Sequence, residues 1–198
     1  SEVFSDNNIL SKLEGNISIG HNRYGTTGES ALKNVQPLFS EINIGGLAIA
    51  HNGNLTNTNY LKEKLIKNGA IFQSTSDTEV ILHLISTFKG NLIERLIYAL
   101  ESIRGAFSLV LLSNNSLIGV RDPLGIRPLV LGKIGDSYIF SSESCGLDII
   151  GAELIRDIDP GEIVIISENG IKSIKPFKKT FLRPCLFEYI YFSRPDSI

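Results

Sequence analysis

Methionine is missing from the chain altogether, even at position 1, and only two cysteines occur, Cys145 and Cys185. Two cysteines do not make a secreted disulfide scaffold, so a reducing, cytoplasmic setting is the expectation. No apolar run approaches the roughly 20 residues of a membrane-spanning helix, and no signal-peptide pattern opens the chain. Excess charge is lacking too. A net charge of −2 gives no electrostatic reason to expect nucleic acid or an anionic membrane as partner. The three histidines, His21, His51 and His83, have no metal-ligand spacing. Internal repeats and low-complexity linkers are absent. With Ser1 opening in mid-sequence and an aromatic segment running up to Ile198, the chain reads as a piece of a longer protein. A mature chain processed to expose Ser1 is the alternative.

What is present is a globular composition: 198 residues, 42% hydrophobic and 20% charged, enough for one domain with its own core. Asn16–Gly20 alternates polar and apolar residues, as does 38–44 more loosely, and both read as strands. Leu47-Ala48-Ile49-Ala50 reads as a buried strand. Residues 57–69 form an amphipathic helix pattern with a glycine stop. Ser76-Asp77-Thr78-Glu79 reads as a capping box opening a second helix, and a third is expected from about Leu92 to Ile103. Further strands are expected at 105–112, 117–120, 129–131 and 138–140. A short helix near Leu147–Ile150 and a hairpin at 162–166 and 171–174 follow. Strands, then helices, then strands fit two sheets with helices packed outside better than a βα wind. The one candidate boundary lies near Lys175–Lys179.

Three polar clusters carry candidate chemistry. His51-Asn52-Gly53-Asn54 follows an apolar strand. An Asn-Gly pair at a strand end sets an amide side chain beside a glycine N–H, two donors suited to an oxyanion; a hairpin turn is the plainer reading and the one favoured from the segment alone. Arg23 in His21-Asn22-Arg23-Tyr24 offers a planar fork for a carboxylate, or simply a surface ion pair. Asp77 stands at the first turn of a helix, where a negative charge is favourable in any case. Together they would suit an amino-acid ligand, with Arg23 on its α-carboxylate, Asp77 on its α-amino group and Asn52/Gly53 at a reacting carbonyl. Spacing alone does not bring them together.

His21–Gly28, Ala50–Leu55 and Thr75–Glu79 resemble the glutaminase domain of class II glutamine amidotransferases. Arg121-Asp122-Pro123-Leu124-Gly125-Ile126-Arg127-Pro128-Leu129, Ser141–Cys145 and Cys185–Ser197 narrow the likeness to the amidophosphoribosyltransferase family. The same segments argue against hexosephosphate aminotransferase and asparagine synthetase. The resemblance implies an α+β fold, the four-layer αββα sandwich of N-terminal-nucleophile hydrolases, here without its first strand. It implies that Arg23 holds the glutamine carboxylate, Asp77 the glutamine amino group, and Asn52 and Gly53 the oxyanion. Tyr24–Gly28 resembles a loop that closes over glutamine, and His51 belongs to the same substrate-binding set.

Two departures accompany the likeness. The family nucleophile is an N-terminal cysteine in a Cys-Gly-(Ile/Val) segment, with its own α-amino group as base; Ser1-Glu2-Val3 does not resemble it. The phosphoribosyltransferase domain, where Mg2+ and phosphoribosyl pyrophosphate are expected, is also missing. Residues 1–180 are thus read as the amidotransferase domain and 181–198 as the start of a connection to that missing domain. The fragment alone is expected to be inactive, and the parent enzyme to be a homo-oligomer in purine biosynthesis. Some family members carry an iron–sulfur cluster, with one ligand at the cysteine before Phe-Glu-Tyr, here Cys185. A buried, inert cysteine is the favoured alternative. A non-catalytic glutamine-binding domain is the rival from a different class.

Overall fold

The computed structural model describes residues 11–22, 32–178, 183, 185–187 and 197. Arg23 and the Tyr24–Gly28 loop therefore lie outside the described residues. Two antiparallel sheets form the centre. The larger holds β1 (Leu38–Ile42), β2 (Gly45–Leu55), β3 (Gly105–Ser113), β4 (Ser116–Arg121), β8 (Ile163–Ser167) and β9 (Gly170–Ile174), in the order β1-β2-β3-β4-β8-β9. The smaller holds β5 (Val130–Ile134), β6 (Ser137–Ser141) and β7 (Glu153–Asp157), with β5 in the middle. Helices α1 (Thr58–Lys67), α2 (Thr78–Thr87) and α3 (Leu92–Ser102) connect β2 to β3, and α4 (Ser144–Ile149) connects β6 to β7.

Side-chain alternation along the strands builds the layers. Ile49, Phe107, Leu109 and Ile163 face α1–α3 and form the main core with Leu61, Leu65, Ile81, Ile85 and Leu96. Their neighbours Val110, Val164 and Ile166 face the other way, onto Leu129, Leu131, Tyr138 and Phe140 of the smaller sheet. Val130 and Ile139 then point outward against Leu147 of α4. Helices, sheet, sheet and helix follow in that order, the expected αββα sandwich. Gly119 lets the sheets approach, since a Cβ there would meet the Phe140 ring at 2.7 Å.

Several local expectations are corrected. Asn16–Gly20 is irregular rather than a strand. Asn52-Gly53 is no turn: both residues lie within β2, opposite Ser108 and Phe107. Ser76 and Glu79 form no capping box. Glu79 instead accepts hydrogen bonds from the backbone N–H groups of Gln73 and Ser74, each at 2.7 Å, so it ties down the loop ahead of α2. The box is found at α3, where Asn91 accepts from the N–H groups of Ile93 and Glu94 and the Glu94 carboxylate accepts from Asn91 N–H. Its Asn-x-x-Glu spacing was readable.

One ion pair braces the two sheets. The Arg156 guanidinium of β7 donates to both Glu162 oxygens, at 2.8 and 2.7 Å. Ser173 of β9 and the Asp159 N–H also donate to that carboxylate. Burial alone would raise the Glu162 pKa, but these donors and the Arg156 charge outweigh it and lower it from 4.5 to about 2. A depressed carboxylate stabilises the fold above its unfolded pKa and loses that contribution as pH falls through the folded value. Such a shift corresponds to about 3 kcal/mol. Because the Arg156 side chain is 39% exposed, solvent screening reduces this to about 1–2 kcal/mol. Chemical denaturation between pH 5 and pH 2 should show this loss, and Glu162→Gln should flatten that part of the profile. An unchanged slope in the variant would assign acid sensitivity to other carboxylates.

Candidate active site on the open edge of strand β2

Strand β2 outruns its neighbour. β1 pairs only with Gly45–Ile49, whereas β3 pairs with residues 47–55. Beyond Ile49, one edge of β2 has no strand partner among the described residues. Antiparallel alternation directs the N–H groups of residues 51, 53 and 55 to that edge. Two of them are taken by side chains. Gln36 Oε1 accepts from His51 N–H at 2.7 Å, and Asp77 Oδ2 accepts from Leu55 N–H at 2.9 Å. The Gly53 N–H points out between these two.

Segments distant in sequence are anchored around this edge. His21 Nε2 donates to the His51 carbonyl at 3.2 Å, across 30 residues, so His21 lies beside the Asn-Gly motif. Asn34 and Thr75 exchange two hydrogen bonds, at 2.8 and 2.9 Å. They join the 3-10 turn Leu32–Asn34 to the loop that delivers Asp77.

Asp77 is more than a favourable charge at a helix start. It is 5% exposed, and its Oδ1 lies 3.5 Å from His51 Nδ1. Burial would raise its pKa, but the hydrogen bond and charge of His51, with the Leu55 and Thr78 backbone, prevail and hold it below the ordinary 3.8. His51 is itself buried at 3% exposure, with Nδ1 also 3.3 Å from Thr78 Oγ1. Its ring stands on the helix side of β2, behind the edge. There its Nδ1 acts on Asp77, while its Nε2 has no hydrogen-bond partner among the described residues.

Gly53 is required by space. Its φ is +148°, and a Cβ would lie well inside van der Waals distance of the Ala106 carbonyl oxygen and 2.9 Å from His51 Nε2. Asn52 points to the opposite face, between the sheets, where Arg127 Nη2 donates to its Oδ1. Arg127, Gln36 and Asp122 are functional candidates that the residue pattern alone did not single out. Asp-Pro-x-Gly is nonetheless a recognisable Asx-turn signature.

The structure thus brings His51 and Asp77 together on the helix side of β2, beside Gly53, and places the Asn52 side chain on the other face with Arg127. Cys185 is partly exposed and Cys145 buried. Among the described residues no group of three or more His, Cys, Asp or Glu side chains could hold a metal ion, and no helix is long and apolar enough to cross a membrane.

An αββα sandwich with an asparagine–glycine pair on an open strand edge is the architecture of a glutamine amidotransferase domain. A family profile of that description matches residues 21–148, and the chain belongs to this family. Within it, the relatives are amidophosphoribosyltransferases. The Rhizobium etli protein is 53% identical over 195 residues, covering 96% of this chain and 39% of its own length. The Bacillus subtilis protein is 44% identical, covering 100% of this chain and 42% of its own length. Among solved structures, the B. subtilis glutamine phosphoribosylpyrophosphate amidotransferase complexed with ADP and GMP superposes with a TM-score of 0.84. The identity is 43%, over 90% of this chain and 39% of that one. A structure described as the allosteric regulatory enzyme of purine biosynthesis gives a TM-score of 0.85 at 44% identity, with the same coverage. The chain therefore spans well under half the length of these relatives.

Proposed function

We propose that the chain is the glutamine-hydrolysing part of an amidophosphoribosyltransferase. The whole enzyme would release ammonia from glutamine and place it on C1 of phosphoribosyl pyrophosphate, giving 5-phosphoribosylamine, glutamate and pyrophosphate. Residues 1–180 would be the amidotransferase unit and 181–198 the start of the connection to the transferase domain.

The observation that carries this reading is the open edge of β2, where the N–H of Gly53 has no strand partner among the described residues and the preceding residue, Asn52, supplies a side-chain amide. Attack on the glutamine side-chain carbonyl turns a neutral oxygen into an oxyanion. Preorganised donors stabilise that charge more than they stabilise the ground state. Asp77 keeps acceptor capacity beyond the Leu55 N–H, since an ionised carboxylate accepts at about four positions. Held ionised by His51, it would pair with the α-ammonium of glutamine, and Arg23 would take the α-carboxylate. Tyr24–Gly28 would close over the ligand and keep ammonia from water. The nucleophile would be the family's N-terminal cysteine, which lies outside the site residues named here.

Mg2+ would belong with phosphoribosyl pyrophosphate in the transferase domain. A [4Fe–4S] cluster needs four thiolates as a rule, and this chain has two cysteines. Cys185 could contribute one ligand at most, and no step of the reaction is routed through it.

Asn52→Ala in the intact enzyme tests the proposal. Glutamine-dependent turnover should fall by roughly 10²–10³-fold, the usual loss for one oxyanion donor. Turnover with added ammonia bypasses glutamine hydrolysis and should persist. Parallel loss of both would make Asn52 a scaffold residue.

A further inference from the structure

The segment Arg121–Leu129, which carries part of the family resemblance, is held by a dense set of side-chain to backbone hydrogen bonds. Asp122 has no solvent exposure. Its carboxylate accepts from three backbone N–H groups of its own loop: Leu124 at 2.9 Å, Ile126 at 3.2 Å and Arg127 at 3.0 Å. The Arg121 guanidinium grips the same loop from outside. It donates to the carbonyls of Arg127 at 2.9 Å, Ile158 at 2.8 Å and Gly125 at 3.1 Å. Both backbone polar groups of Arg127 are thereby fixed, its N–H by Asp122 and its carbonyl by Arg121. The side chain so anchored crosses 75 residues of sequence to donate from Nη2 to Asn52 Oδ1.

This contact decides which way the Asn52 amide faces. A carboxamide has one acceptor end and one donor end, and only the donor end can stabilise an oxyanion. If the amide rotated by half a turn, its oxygen would face the developing negative charge and oppose it. A guanidinium has donors only, so the Asn52 atom that meets Arg127 must be the oxygen. Nδ2 is then the end left for a reacting carbonyl. The positive charge on the oxygen side also polarises the amide and makes its N–H a stronger donor.

We infer that Arg127 is a positioning residue of the oxyanion hole: it locks the Asn52 carboxamide with its N–H2 end toward the reacting carbonyl. The inference rests on the proposed oxyanion role of Asn52. Arg127 acts through Asn52 and touches no substrate.

The test is a double-mutant cycle in the intact enzyme, with Arg127→Ala, Asn52→Ala and the pair. Glutamine kcat and KM, ammonia-dependent turnover and the thermal midpoint are measured for each. Arg127→Ala should lower glutamine kcat by about 10–100-fold, part of the loss caused by removing the donor itself. Glutamine KM should stay within about threefold, since the oxyanion exists only in the transition state. The double variant should be no slower than Asn52→Ala alone, because the two residues act as one unit. Arg127→Lys retains a cationic donor and should recover part of kcat. It also carries the cycle if the alanine variant folds poorly. Multiplicative losses, a KM effect with kcat retained, or parallel loss of ammonia-dependent turnover would overturn the role of Arg127. If Asn52→Ala itself keeps glutamine turnover, the oxyanion reading fails rather than this refinement of it.

Discussion

Gly53→Ala should leave the protein grossly destabilised, with a thermal midpoint lowered by roughly 10 °C or more and no glutamine hydrolysis in the intact enzyme. Two costs add. An alanine at φ +148° sits where L-residues are strained, at about 1–3 kcal/mol. Its Cβ also meets the Ala106 carbonyl oxygen, which belongs to the paired backbone of β3 and cannot yield without opening the ladder. Overpacking of this kind costs about 1–3 kcal/mol more, and a chain of this size loses about 2–4 °C per kcal/mol. Circular-dichroism melting of wild type and variant is the measurement. A wild-type midpoint would mean that β2 and β3 do not approach as described.

Asp77 carries the second large effect. Asp77→Ala leaves the Leu55 N–H and the His51 ring without their shared partner in a buried position. Breaking a buried charged contact from one side costs about 3–5 kcal/mol. Asp77→Asn keeps an oxygen for Leu55 and should cost less, about 1–2 kcal/mol. It cannot offset an ammonium charge, so glutamine KM in the intact enzyme should still rise sharply. The pair of variants separates the two uses of one carboxylate. Equal destabilisation by Asn and Ala would point to the charge, and an unchanged KM in Asp77→Asn would remove Asp77 from the ligand site. Because the Asp77 pKa is depressed, its contribution is present above pH 3.8 and fades as pH falls below that.

The layers were legible because they follow from periodicity. Ile163-Val164-Ile165-Ile166 divides between the two sides of its sheet, and Leu61 and Leu65 are buried one helical turn apart in α1. The Asn52-Gly53 corner was misread for a definite reason. Asn-Gly is the strongest short hairpin signal, and nothing local distinguishes a glycine chosen for a turn from one chosen to admit a neighbouring carbonyl. That carbonyl, Ala106 O, is 53 positions away. The capping box was misplaced because Ser76 and Glu79 match the spacing, while the free N–H groups of Gln73 and Ser74 compete for the same carboxylate. The site itself depends on contacts between 21 and 51, 36 and 51, 55 and 77, and 52 and 127. No window of sequence contains any of them, so Asn52, Gly53 and Asp77 were visible as candidates while their surroundings, and the parts of Gln36 and Arg127 in them, were not.

The overhang of β2 has an evolutionary side. The Gly53 N–H is main chain, and every residue except proline carries the same group. Drift at position 53 can therefore not remove the donor by changing a functional group. It can only crowd it, through a Cβ that Ala106 and His51 leave no room for. Of the two donors proposed to share the oxyanion, one is exposed to chemical substitution and the other only to steric exclusion. A survey of natural variation should then find position 53 intolerant of even a methyl group, while Gln36, which holds the edge through one acceptor oxygen, could exchange with any side chain that offers an acceptor at the same place.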